Sequence, residues 1–316
     1  MKFEALLEKI PATFENLEAA RREYLLFEKV FLILCVLLPC IVLLITYAVS
    51  SETSAFWAFL LTVAAEVCVY EFLIRRKRSN YIQRFRDDVF PHLIRLIDED
   101  LEYRFELTKE TFDWNAGGLF TPASDFLQKI EMKPAVLMSG KGGQFLEGDI
   151  ILRTGRQSET QRFLFLSVDC DCGLESRTYL LPKKIERSLG RFSQFFHTWG
   201  KPPKTELISL GDTDFDKQFS VFSFSEEETK VLLRKEMQEF MVALQSEFGD
   251  TVRAQFFNRR ILLALPLTNQ SLEPSLNCPA DDLKQLTRFG DIISRRLEIL
   301  QEFDGLMRDR CAPETV

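Results

Sequence analysis

With only two histidines, His92 and His197, the chain has little from which to build a proton relay or a zinc centre. A zinc site needs CxxC pairs or interleaved histidines at ligand spacing, and the seven cysteines offer a single CxC, Cys170 and Cys172. No metal site and no cofactor is expected. The cysteines form no disulfide framework either: Cys35, Cys40 and Cys68 lie in apolar runs, and the expectation for Cys170, Cys172, Cys278 and Cys311 is a reducing cytosol. An excess of cations is also missing. Residues 79–316 hold 31 Lys plus Arg against 38 Asp plus Glu, while residues 1–78 balance at nine of each. Binding a phosphate backbone needs clustered cations, so nucleic acid is excluded as a partner. A Walker loop is absent too. Ser139-Gly-Lys-Gly-Gly143 follows the apolar run Ala135–Met138, but Gln144-Phe-Leu-Glu-Gly148 comes next. It supplies no Gly-Lys-Ser/Thr to meet phosphate and Mg²⁺, which leaves a glycine-rich turn.

What the sequence has in quantity is apolar length. Val30–Val49 carries no charge, enough to cross a hydrocarbon core of about 30 Å as a helix. Ala55–Ile74 is as long and contains Glu66 and Glu71. Only Ser50-Ser51-Glu52-Thr53-Ser54 separates them, so they pair as an antiparallel transmembrane hairpin. Arg21, Arg22 and Lys29 precede the first run, Arg75, Arg76, Lys77 and Arg78 follow the second, and the connecting loop has no Lys or Arg. Short flanks rich in Lys and Arg stay cytoplasmic, which predicts an integral membrane protein with two spans and both termini in the cytoplasm. A signal peptide is the competing reading, but its n-region would be too long, its apolar run too long, and a second span follows.

The flanks read as helix. Residues 1–29 form an amphipathic cytosolic segment in which Phe14, Leu17, Tyr24 and Leu25 recur among Glu and Arg. Residues 75–98 form a basic flank and stalk helix, with Ile82, Phe85, Val89, Leu93 and Ile97 on one face and Pro91 as a kink site. The two stripes are expected to pair as an antiparallel stalk. Residues 99–303 then read as a cytosolic α+β domain, single or split into two subdomains near residue 200, followed by a flexible tail over 304–316. Strands are expected at Ala135–Met138, Asp149–Arg153, Arg162–Val168, Thr178–Leu181, Glu206–Leu210 and Ser220–Phe224, and Val252–Phe257 with Ile261–Leu265 reads as a hairpin. Helices are expected over Lys183–Phe196, from the capping box Ser225-Glu-Glu-Glu228 to Phe248, and from Pro279 to Phe303. Mixed elements without regular βαβ spacing indicate α+β rather than α/β.

Several stretches resemble the bacterial domain of unknown function 3137 family. They are the hairpin, Gly118-Leu119-Phe120, the strand FLFLSVD with RTYLLPKKIERSLG at Arg177–Gly190, Leu210–Met241, and RILLALPLTNQSLEPSL at Arg260–Leu276. The resemblance covers most of residues 80–303 and departs at Glu131–Arg156. It implies a membrane-anchored cytosolic module, in a bacterial inner membrane, and supplies no catalytic residues.

Two candidate sites remain. Asp169 and Asp171 end an apolar strand, where paired carboxylates can hold a divalent cation against a substrate diphosphate; solvated turn carboxylates are the competing reading. Glu66 lies near the middle of the second span, where an ionisable group is costly and is a functional candidate. No Lys, Arg or His in the first span pairs with it, so Thr46, Tyr47 or an oligomer interface is left, and Ala64 and Cys68 form a small-xxx-small face. Arg75, Arg76, Lys77 and Arg78 mark the membrane interface, where anionic headgroups are within reach. The leading expectation is a membrane-tethered binding or scaffold module that recruits a protein partner, homo-oligomers included. The alternatives are a metal-dependent enzyme at the membrane face using Asp169 and Asp171, and a secreted bacterial effector whose hairpin enters a host vacuole membrane.

Overall fold

The structure is a computed structural model of the 316-residue chain. It describes residues 3–49, 52–104, 128–140, 143–154, 157–169, 176–183, 206–211, 213–257, 260–267 and 272–311. The fold is α+β and divides into two units, Met1–Glu99 with Leu272–Ile293, and Asp100–Ser271 with Ser294–Val316. Gly118-Leu119-Phe120, Asp171, most of Lys183–Phe196 and the point near residue 200 lie outside the described residues.

The first unit is helical. After α1 (Glu4–Lys9) the chain turns at Ile10 and enters α2 (Pro11–Val49), one continuous helix through the amphipathic segment and the first apolar run. Pro11 suits the start because a first-turn N–H has no intrahelical partner to lose. Pro39 sits inside the helix, where it removes one backbone hydrogen bond. The second apolar run forms α3 (Glu52–Val69), a π-helical turn (Tyr70–Ile74) and α4 (Arg75–Asp88). Pro91 does break the stalk: the chain turns at Val89 and resumes as α5 (Phe90–Ile97). Both long helices are long and apolar enough to cross a membrane, and only 11% and 6% of their apolar windows are buried. A core helix of a water-soluble protein would be mostly buried.

The expected two-helix stalk is larger than its two stripes. Residues 272–293 complete it, and Phe289 packs on Phe85 and Phe90 at centroid distances of 6.0 and 5.3 Å. Leu286, Phe289 and Ile293 are fully buried there with Phe85, Leu93 and Ile94. A polar clamp fastens the same segment. Glu18 accepts from Arg21 Nε at 2.7 Å, from Arg22 Nε at 2.8 Å and from the Ala280 backbone N–H at 3.2 Å. Arg21 also donates to the Leu276 carbonyl at 2.9 Å. The Arg21 hydrogen bond is the main reason that the Glu18 carboxyl is held down at about 2, from an ordinary 4.5. Cutting the chain near residue 80 would therefore remove the Glu18 and Arg21 clamp from residues 272–293 while leaving Phe85 and Phe90 against Phe289.

The second unit is built on a nine-stranded sheet in which every pair is antiparallel, with β1 (Glu102–Arg104), β2 (Gln128–Gly140), β3 (Gly143–Thr154), β4 (Gln157–Asp169), β5 (Thr178–Pro182), β6 (Glu206–Ile208), β7 (Phe219–Ser223), β8 (Arg253–Phe257) and β9 (Arg260–Pro266) in the order β1-β2-β3-β4-β9-β8-β5-β7-β6. β4 is buried from Phe163 to Val168 without alternation, as a strand covered on both faces requires. Among the described residues, α6 (Thr213–Gln218) lies between β6 and β7, α7 (Glu226–Leu232) and α8 (Lys235–Phe248) between β7 and β8, and α9 (Leu283–Cys311) after β9. Ser225 caps α7 by accepting from the Glu228 N–H at 3.3 Å. The Glu228 carboxylate, which a full capping box would turn back on Ser225, instead receives the Ser176 hydroxyl and N–H. α9 runs past Phe303 to Cys311 and presents Arg296, Leu300 and Phe303 to the sheet. Phe303 stacks on Phe240 at 5.6 Å and meets Phe256 edge-on at 6.5 Å.

Candidate functional site

Of the glycine run Ser139–Gly143, Ser139 and Gly140 end β2 and Gly143 opens β3, with Gly140 paired to Gly143. A strand follows it. A phosphate loop opens a helix, whose N-terminal N–H groups receive the anion, so the element after this run is the wrong one for that task.

Asp169, the last residue of β4, is exposed, and its carboxylate accepts from Arg260 Nε at 3.2 Å. Its intended partner Asp171 lies outside the described residues, and no cluster of metal-ligating side chains exists among the described residues. The basic flank opens α4, where Arg75, Arg76 and Arg78 are exposed. Lys77 is more enclosed. Its ammonium pairs with Glu23 at 2.5 Å and lies 4.9 Å from the centroid of the Phe27 ring, and Arg78 reaches Glu273 at 3.3 Å. These contacts tie α4 to α2 and to the 272–293 segment, so part of the flank is structural.

Glu66 is where the helical unit departs most from ordinary packing. Near the basic flank, Tyr24, Phe31 and Ile74 form a small buried cluster that joins the two long helices, and Tyr70 of the π-turn adds its ring 6.0 Å from Phe31. Beyond that cluster an open groove of about 600 Å³ runs between α2 and α3. α2 lines it with Phe27, Val30, Phe31, Leu34 and Leu38, and α3 with Leu61, Thr62, Ala65, Glu66 and Val69. Glu66 supplies the charge in this wall, and its Oε1 has no hydrogen-bond partner among the described residues. The threonine hydroxyls of the two apolar runs are engaged elsewhere. Thr46 bonds back to the Val42 carbonyl at 2.7 Å, Thr62 to the Ala58 carbonyl at 2.9 Å, and Tyr47 is 65% exposed. Ala64 and Cys68 are exposed and do not line the groove.

Sequence reasoning missed a second carboxylate site, in the sheet unit. Glu147 of β3 is buried and meets Arg296 at 3.1 Å, with Arg162 at 3.7 Å on its other oxygen. Arg162 in turn pairs with Asp149 at 2.7 Å. Burial pushes the Arg296 guanidinium down from its ordinary value, and the Glu147 charge partly restores it. The signal was available: 289, 293, 296, 300 and 303 step by four, three, four and three, which puts Arg296 in the middle of an apolar stripe. Both Glu147 oxygens face an arginine, which gives the group the character of a structural pin.

Apolar exposure is unevenly distributed. Among the described residues, every exposed large hydrophobic side chain lies between Leu26 and Leu73 except Leu207, Phe224, Val231 and Leu283. Among the described residues of the sheet unit, these are Leu207, Phe224 and Val231.

Over residues 163–304 the chain matches the family model described as Protein of unknown function (DUF3137), the family that its strand and helix motifs resemble. The stretch Glu131–Arg156, where the resemblance departs, lies outside that match. No curated protein matches the chain. Among solved structures, the crystal structure of the mycobacterial trehalose monomycolate transport factor A, TtfA, is similar at 14% sequence identity and a TM-score of 0.31, covering 62% of this chain and 88% of that one. A likeness at that score carries no argument about fold or function here.

Proposed function

We propose that the chain is a membrane-anchored binding module without chemistry of its own, in which the hairpin crosses a bacterial inner membrane, both termini lie in the cytoplasm, and the protein gathers a protein partner at that membrane. The observation that carries this reading is the hairpin itself. Its apolar side chains are exposed along both helices, and a water-soluble surface rarely presents a contiguous apolar area of that extent. The charge pattern supports the orientation, since Arg75, Arg76, Lys77 and Arg78 lie at one end of the hairpin and the connecting loop has no Lys or Arg. Among the described residues, exposed apolar side chains concentrate on the hairpin, which favours it as the place of contact. Asp169, engaged by Arg260, adds nothing to an enzymatic reading.

The test uses the full-length chain. Single cysteines at Ser51 and near the C-terminus, in a background without the native thiols, are labelled with a membrane-impermeant maleimide on intact cells. The expected result is labelling at Ser51 and none at the C-terminus; the opposite pattern, or equal labelling, refutes the topology. In-cell crosslinking and affinity capture then yield a partner at near-stoichiometric level. Capture of no protein by the correctly inserted chain rejects the binding role.

A further inference from the structure

The groove residues have the spacing of a helix seam. Phe27, Phe31, Leu34 and Leu38 follow one another on α2 at steps of four, three and four, and Thr62, Ala65 and Val69 on α3 at three and four. Two seams of this period facing one groove present the holes that a third helix fills with its own side chains, knob into hole. A lipid chain has no period to match. The α3 seam is also low, because Thr62 and Ala65 are small, and small side chains let a neighbouring backbone approach closely.

Glu66 stands beside that seam, in the flanking position where charges select the partner of a helical bundle. Its Oε1 has no hydrogen-bond partner among the described residues, and the Thr62 hydroxyl next to it already bonds to Ala58. A carboxylate in hydrocarbon costs several kcal/mol unless a cation or donor meets it. A second copy of this chain brings no cation to the same depth, since neither Val30–Val49 nor Ala55–Ile74 contains Lys, Arg or His.

The geometry points to a heterologous occupant: the groove between α2 and α3 docks one transmembrane helix of a different protein, apolar along its seam and carrying a Lys or Arg that pairs with Glu66. This rests on the membrane anchoring proposed above and names the class of partner.

The experiment reconstitutes the full-length chain, with a donor dye at its N-terminus, in phosphatidylcholine vesicles. The probes are two synthetic Leu-Ala transmembrane peptides with an acceptor dye, one with a single Lys at the depth of Glu66 and one with Leu there. Energy transfer should report roughly tenfold tighter binding of the Lys peptide, the worth of one intramembrane charge-assisted pair. Glu66→Gln should bring the two peptides to within about twofold of each other. Val67→Leu, at a side chain 57% exposed and outside the groove, should leave the preference intact. Equal binding of the two peptides overturns the inference, as does a Lys preference that survives both Glu66→Gln and Glu66→Leu. Transfer between two copies of the chain that Glu66→Leu abolishes, and that the Lys peptide does not displace, assigns the groove to self-association and also overturns it. Protease digestion of the sealed vesicles separates the two levels. A digested hairpin means that anchoring has failed, whereas a protected hairpin that binds neither peptide rejects the docking inference alone.

Discussion

Glu147 and one oxygen of Glu66 are withdrawn from water, and the two units treat them in opposite ways. In the sheet unit Glu147 has Arg296 at 3.1 Å and Arg162 at 3.7 Å, and Asp149 balances the second cation. In the helical unit Glu66 lines an apolar groove and keeps one oxygen without a partner among the described residues. A buried charge matched by an opposite charge is a structural element, because removing one member strands the other. An acid with one oxygen withdrawn from water and unmatched carries a cost that a donor or cation from elsewhere would relieve. The contrast sets a carboxylate matched by charges of its own unit against one with an unmatched oxygen.

The comparison can be broken most forcefully at Arg296. Arg296→Met leaves Glu147 with a longer contact to Arg162 and should lower stability by about 3–5 kcal/mol. Chemical unfolding of the full chain in detergent, followed by circular dichroism of the sheet, measures it. The double variant Arg296→Met with Glu147→Leu should regain most of that loss; if it regains none, the pair is not the cause. Next in size is Gly143→Ala at the start of the same strand. Gly143 has φ 151°, and a Cβ there would collide with the Ser167 carbonyl oxygen. A cost of about 1–3 kcal/mol is expected, the usual range for overpacking, in the same unfolding assay.

The clamp at Glu18 gives the helical unit a closed charge of its own and a pH signature. Its carboxyl is held down to about 2 from 4.5, mainly by Arg21, so its contribution is complete above about pH 4.5 and disappears as pH falls through about 2. Partial exposure screens it to about 1–2 kcal/mol. Thermal midpoints between pH 5 and pH 2 should fall less steeply for Glu18→Gln than for the parent; parallel curves would remove Glu18 from the account. The smallest effect sharpens the comparison from the other side. Glu66→Leu removes a polar group from an apolar wall, so stability should stay within about 1 kcal/mol of the parent or rise. A loss as large as that of Arg296→Met would mean that Glu66 is structural after all.

Much of the fold was legible in the sequence. Apolar length and short loops gave the helix pair, and Ser225 three residues before Glu228 gave the cap of α7. The unbroken FLFLSV run gave a strand buried on both faces, because alternation disappears when neither face meets water. The strands β2 to β4 are longer than their apolar centres suggest, since ladder hydrogen bonding continues through polar residues once neighbours are in register. At the sites, the sequence identified Glu66 by its position in an apolar run. It passed over Glu147, whose neighbours Gln144 to Gly148 read as a loop when judged only as a phosphate-binding motif.

The sequence by itself determined where apolar segments begin and end, which faces of the helices are greasy, and the sign of charge at each end of the hairpin. Those follow from local composition and period, which a chain carries wherever it folds. Only the tertiary structure decided that residues 272–293 belong with the N-terminal helices, that Arg296 closes on Glu147, and that Phe27 to Leu38 and Leu61 to Val69 leave a groove with Glu66 in its wall. Each of these joins residues far apart in the chain, and the energy that selects them comes from mutual burial and charge pairing, which appear only when the partners meet.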